Sequence, residues 1–203
     1  ILMFNLHHII SDDWSMGIMI REFGLIMDAL RQGRQPELPQ LPIQYVDYSV
    51  WQRQWLSEVG SGQGSVLQQQ LDYWHKKLAG VADRLNLTSD YPRTSAQSFA
   101  GARQAFHLDA ELTGQLNHLA EQHACTLYMV LMAAFNVLLY RYSGQDDICI
   151  GTPIANRQYS ETEGLIGMFV NTLAMRNIID AEESFLSLLT KVKATCLDAY
   201  EHQ

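Results

Sequence analysis

Two histidines, His7 and His8, and two aspartates, Asp12 and Asp13, lie within the stretch "FNLHHIISDDWSMG" close to the start of the chain. Histidine changes charge near neutral pH, so it can take up, release or direct a proton, and a nearby carboxylate can orient it. A plain structural reading stands beside this one. Asp and Ser commonly occupy strand-to-helix turns, where their side chains satisfy loose backbone donors. A doubled histidine behind an apolar run is a costly way to make such a turn. In a strand the two rings would point to opposite faces, one toward a cavity and one into the core.

Other chemistries fit less well. His8 and Asp12 could converge on a metal, but zinc usually takes three protein ligands at characteristic spacing. His118 and His123 are five apart, about 140° from one another around a helix, and share no face. No G-x-S-x-G elbow appears for a Ser-His-Asp hydrolase. "GSGQG" and "GTPIANR" lack the pattern of a phosphate-cradling loop. What remains is a histidine acting as acid, base or hydrogen-bonding group, with an aspartate serving architecture.

These residues need elements to hold them. "ILMFNL" reads as a buried strand leading into the histidines. Met19, Phe23, Ile26 and Leu30 recur at helical spacing on a helix that starts at Ser15 or Met16, with Ser15 as N-cap, and ends near Gly33. Residues 31–42 contain three of the five prolines and read as a loop. A helix is expected over residues 45–58, where Trp51 and Trp55, like Tyr45 and Tyr48, are most simply packing residues. The glycine-rich residues 60–64 separate it from the helix "VLQQQLDYWHKKLAG". The main organisational break falls between there and the 90–93 turn.

Beyond it strands and helices alternate. "ARQAFHLD" reads as a strand, and Leu112, Leu116 and Leu119 mark the next helix. Residues 127–142 are apolar on nearly all sides and should form a central buried helix. "DDICIGTPI" and "GMFVNTLAMRNI" read as strands, the second with Asn171 at its middle, either hydrogen-bonded in the core or exposed. A last amphipathic helix carries Phe185, Leu188, Leu189, Val192, Cys196 and Ala199. The fold class is mixed α/β.

Bulk composition narrows the partners. Net charge is -8 over 203 residues, 47% hydrophobic and 18% charged, without a Lys/Arg cluster. That argues for a globular chain and against a nucleic-acid or anionic-membrane partner. The longest apolar run falls short of the roughly 20 residues of a membrane span. Cys125, Cys149 and Cys196 lie far apart in apolar contexts, as expected of buried free thiols in a reducing, cytoplasmic compartment. The first residue is not Met and the chain begins inside what reads as a strand, so its true N-terminus is expected to lie further upstream.

"HHIISDD" with "WSMG" resembles the His-His-x-x-x-Asp-Gly signature of nonribosomal peptide synthetase condensation domains. "YVDYSVWQRQWL", "IGTPIANR", "EGLIGMFVNTLAMR" and "AYEHQ" resemble further motifs of that family, and the similarity extends over the whole chain. The resemblance implies a chloramphenicol-acetyltransferase-like, two-lobed V, incomplete at both ends. Residues 1–60 would end the N-terminal lobe, 61–92 form a linker and crossover helix, and 93–203 begin the C-terminal lobe. It implies amide-bond formation between aminoacyl or peptidyl thioesters on carrier proteins, with no cofactor bound by the domain itself. The substrates would arrive on 4'-phosphopantetheine arms, and the partners would be upstream and downstream carrier domains and an adenylation domain.

Carried over, His8 is the catalytic residue, as base or as positioner of the amine. His7 is structural. Asp12 is the structural aspartate, its arginine partner expected in an earlier, missing portion of the lobe. Asp13, Trp14, Ser15 and Asn171 are tunnel or substrate-binding candidates, while Thr152, Pro153 and Arg157 shape a turn flooring the tunnel. No metal is implied. Asp13 departs from the family's glycine, which would permit positive φ. A carboxylate there, if close to His8, is expected to slow the reaction or shift it to higher pH, and Asp13→Gly to raise the rate. "SDDWSMG" and "QSFAGARQAF" look most like domains joining an L-donor to an L-acceptor. The alternatives are a degenerate, non-catalytic docking scaffold for carriers, or another His-x-x-x-Asp acyltransferase.

Overall fold

The computed structural model describes residues 3–58, 64–91 and 101–203. Residues 60–63 of the glycine-rich stretch, residues 92 and 93 of the proline turn, and "QSFA" lie outside them. Among the described residues, seven α-helices and two strands follow in order: α1 (Asp13–Arg31), α2 (Tyr45–Ser57), α3 (Val66–Leu78), α4 (Ala110–Gln122), α5 (Leu127–Ser143), β1 (Asp147–Ile154), α6 (Ser160–Glu163), β2 (Asn171–Ile178) and α7 (Phe185–Glu201). The fold is mixed α/β, and β1 and β2 pair in a two-stranded sheet. Among the described residues no single helix is long and apolar enough to cross a membrane.

The chain packs as two compact units. One comprises Ile1–Lys76, Thr152–Leu173 and Gln203, the other Lys77–Gly151 and Ala174–His202. In the first, Tyr48, Leu165 and Phe169 form a buried cluster against which Ile43 and Tyr45 pack. The Phe169 ring lies 4.7 Å from that of Tyr48 and 5.1 Å from that of Tyr45, so the aromatic residues of α2 clamp it from two sides. In the second unit α5 packs against both α7 and α4. Leu188, Leu189, Val192, Cys196 and Ala199 of α7 bury one helical stripe. Arg176 of β2 holds Asp147 of β1 through two bonds of 2.9 and 2.7 Å. Its Nη1 also donates to the carbonyls of Lys77 and Ala79, where α3 ends.

Several expectations change. Of the strand expected over residues 1–6, residues 1 and 2 lie outside the described residues and 3–6 form no strand, and neither do 102–109. An apolar or alternating run does not by itself make a strand, because its backbone groups must pair with a neighbour, and among the described residues only β1 and β2 pair. The helix start moves forward: Asp12, not Ser15, caps α1, accepting the Ser15 amide at 2.8 Å. α5 is not buried all round. Met129, Val130, Met132, Ala133 and Asn136 are inside, whereas Leu131, Phe135, Leu138 and Tyr142 are exposed. All three cysteines are free, but only Cys196 is buried.

Candidate functional site

The histidines sit in a one-turn 3-10 helix, His8–Ile10, rather than at the end of a strand. The turn closes when Ile10 donates to the His7 carbonyl at 3.1 Å and Ser11 to the His8 carbonyl at 3.3 Å. His7 caps it, with Nδ1 accepting the Ile9 amide at 3.1 Å. That bond requires an unprotonated Nδ1, which in the neutral ring places the hydrogen on Nε2. His8 is exposed, and its ring makes no hydrogen bond or ion pair among the described residues. The turn therefore distinguishes the rings, engaging one in its own cap and leaving the other open to a ligand.

Immediately behind the turn lies a buried charged network. Asp12 has a fully buried side chain, and the guanidinium of Arg157 is 3.3 Å from its Oδ1. The same oxygen accepts the Ser15 amide at 2.8 Å and the Ser15 hydroxyl at 2.6 Å. Its Oδ2 accepts the Phe169 amide at 3.1 Å. Ser15 Oγ in turn accepts from Arg157 Nη2 at 3.0 Å and from the Gly167 amide at 3.1 Å. Arg157 Nη1 donates to the carbonyls of Thr162 and Leu165. The guanidinium also rests 3.9 Å from the centroid of the Phe169 ring.

Such a pair survives burial only if its remaining donors and acceptors are met. Burial alone would push the Asp12 carboxyl up. The Ser15 hydroxyl and amide, the Phe169 amide and the Arg157 charge outweigh it and hold the carboxyl below its ordinary value. Burial draws the pKa of Arg157 down against the pull of Asp12. Its ordinary value is so high that the group stays cationic at neutral pH.

The arginine partner of Asp12 thus lies within this chain, 145 residues downstream, not in an earlier segment. The sequence suggests only a loop-shaping role for Arg157. The available signal was chemical, since a buried aspartate needs a cation, but nothing in the spacing selects Arg157 over other arginines.

The other candidates separate. Ser15 is fully buried inside the network. Asp13 and Trp14 line a different space, a cavity of about 690 Å³ bordered also by Arg21, Leu41, Glu161 and Gly164. Trp14 Nε1 donates to the Glu163 carbonyl at 2.9 Å. Asp13 is the first residue of α1 and forms no ion pair with His8. It does not have positive φ, so a glycine's conformational freedom is not needed there. Asn171 begins β2 instead of standing at its middle, is exposed, and among the described residues its side chain accepts the amide of Thr172 at 2.8 Å. Thr152 is buried in β1, whereas Pro153 is exposed.

Gly167 lies in the family-like block "EGLIGMFVNTLAMR", but nothing in the sequence gives it a role of its own. A Cβ there would clash with the edge of the Tyr45 ring, coming 2.9 Å from Cγ, and Tyr45 is itself fixed by a 2.8 Å bond from its hydroxyl to the Met168 carbonyl. Among the described residues, no three His, Cys, Asp or Glu side chains gather as a metal-binding group.

The fold is that of condensation domains, of the chloramphenicol-acetyltransferase-like class. The X-domain from teicoplanin biosynthesis superposes with a TM-score of 0.85 at 29% identity, over 97% of this chain and 44% of that one. The first condensation domain of the calcium-dependent antibiotic synthetase, at 21% identity, superposes with a TM-score of 0.79 over 97% of this chain and 42% of the other. The family model of the condensation domain matches residues 1–203, and the chain belongs to that family. Over its full 203 residues it is 44% identical to tyrocidine synthase 3 of Brevibacillus parabrevis, of which it spans 3%. It is 42% identical to malpinin synthetase of Mortierella alpina, again over all 203 residues, and spans 2% of that protein.

Proposed function

We propose that this chain forms amide bonds between carrier-bound thioesters, as part of a nonribosomal peptide synthetase. The observation that carries this reading is the His8 ring, exposed and unbonded on a turn braced from behind by the buried Asp12–Arg157 pair. In the reaction an acceptor α-amine attacks the donor thioester carbonyl. A C–N bond forms, the C–S bond breaks, and the donor carrier's thiol leaves. The thioester is already activated and an α-amine has a pKa near 8, so the demands are positioning and the transfer of one proton. His8 either accepts that proton from the attacking nitrogen or orients the amine. His7 and Asp12 shape its support. Asp13 and Trp14, on their own cavity, and Asn171, exposed at the start of β2, remain substrate-contact candidates.

In this reading the substrates arrive on 4'-phosphopantetheine arms of upstream and downstream carrier domains, with an adjacent adenylation domain, in the cytoplasm. The domain joins an L-donor to an L-acceptor. Residues 1–60 belong to an N-terminal lobe, 61–92 to the crossover and 93–203 to a C-terminal lobe. The test is a carrier-to-carrier condensation assay on the intact module. His8→Ala is expected to lower the rate by about 10²–10⁴-fold. An unchanged rate overturns the catalytic role, and a wild-type module that binds carriers without condensing them favours the docking-scaffold reading.

A further inference from the structure

We propose that Asn156 is a positioning residue, whose left-handed backbone turns the chain leaving β1 so that the next residue, Arg157, delivers its guanidinium to Asp12 and Ser15. Asn156 has φ of 51°, one of two non-glycine residues with positive φ among those described. L-residues other than glycine avoid this region because Cβ crowds the following carbonyl, and asparagine tolerates it better than most. Its side chain makes no hydrogen bond among the described residues. What the position uses is therefore the backbone conformation, not the amide group.

The location gives that conformation its consequence. β1 ends at Ile154 and α6 begins at Ser160, and Asn156 lies in the short connection between them. Immediately after Asn156, Arg157 sends a side chain that is 1% exposed to within 3.3 Å of Asp12 and 3.0 Å of Ser15. The guanidinium leaves its own buried Nε without a partner. Both Nη atoms are engaged, by the carbonyls of Thr162 and Leu165 and by Asp12 and Ser15, so the network depends on where the backbone at residues 156 and 157 starts this side chain. Asp12 ends the Ser11–Asp12 link between the histidine turn and α1, which ties the aim of Arg157 to the support of His8.

The link to turnover rests on the function proposed above, whereas the link to the network does not. The experiment therefore reads both in the intact module, using Asn156→Gly, Asn156→Ala and Asn156→Val. One readout is condensation kcat and KM. The other is amide hydrogen exchange of the peptides containing Ser15 and Phe169, whose amides bond to Asp12. The glycine variant is expected to match wild type within about twofold in both readouts, since glycine adopts positive φ without cost. The valine variant is expected to lose about tenfold in kcat at unchanged KM and to exchange about tenfold faster at those amides, with alanine between. A glycine variant as damaged as valine shows that the side chain is what matters and overturns the proposal. A valine variant equal to wild type overturns it as well. If no variant condenses, the catalytic reading fails alone and the order of exchange rates still decides the role of Asn156.

Discussion

At the scale of single residues, the balance around Asp12 sets what each substitution does. Removing Arg157 strands a buried carboxylate, and Arg157→Met is expected to cost about 3–5 kcal/mol in chemical denaturation. Arg157→Lys should recover only part of that, because one ammonium cannot serve two carbonyls, a hydroxyl and a carboxylate together. The acid side follows from the depressed carboxyl. Its stabilisation is complete above the ordinary value of 3.8 and is lost as pH falls through the lower folded value. Asp12→Asn is therefore expected to flatten the loss of stability below about pH 5, measured as denaturation midpoints against pH. Gly167→Ala should cost about 1–3 kcal/mol, because its Cβ has to displace Tyr45 from a ring packed on Phe169. His8 and Asp12 were legible in the sequence because two histidines and a carboxylate at fixed spacing carry their own chemistry. Arg157 and Gly167 were not, since their roles depend on neighbours more than a hundred residues away.

At the scale of elements, helix ends explain most of what periodicity left uncertain. Asp12 outcompetes Ser15 as the cap of α1 because its carboxylate can collect several donors at once, which a hydroxyl cannot. Asp13 then stands in the first turn, where a negative charge meets the positive end of the helix dipole. With no ion pair to His8 among the described residues, Asp13→Gly is expected to leave the pH profile of condensation unshifted and to weaken α1 by about 0.5–1 kcal/mol, read from the denaturation midpoint. The turn after α4 offers the opposite case. Ala124 has φ of 49°, and its successor Cys125 donates to the Ala120 carbonyl at 2.8 Å. Ala124→Gly relieves that conformation and should stabilise the chain by about 1 kcal/mol, read from the denaturation midpoint. Helices of 13 residues or more were legible because their apolar positions repeat. Residues 3–6 and 102–109 misled because an apolar or alternating run shows a face but not a neighbour.

At the scale of the whole chain, two units each bury their own core. Leu189 of α7 is 1% exposed, and Leu189→Ala should cost about 2–5 kcal/mol. Its effect on hydrogen exchange is expected to concentrate in α5 and α7, leaving the Ser15 and Phe169 amides close to wild type. Equal acceleration in both units would instead show that they open together.

By itself the sequence determined the family, the helices and the placing of a histidine doublet a few residues before an aspartate, since these depend on residue type at short spacing. Only the tertiary structure decided that Arg157 is the cation opposite Asp12, that Ser15 is buried within their network, and which face of α5 is covered. The physical reason is the same in each case. Periodicity and motif spacing report on contacts a few residues apart, whereas the partner of a buried charge is chosen by how distant segments of the chain pack, here Asp12 against Arg157, 145 residues away.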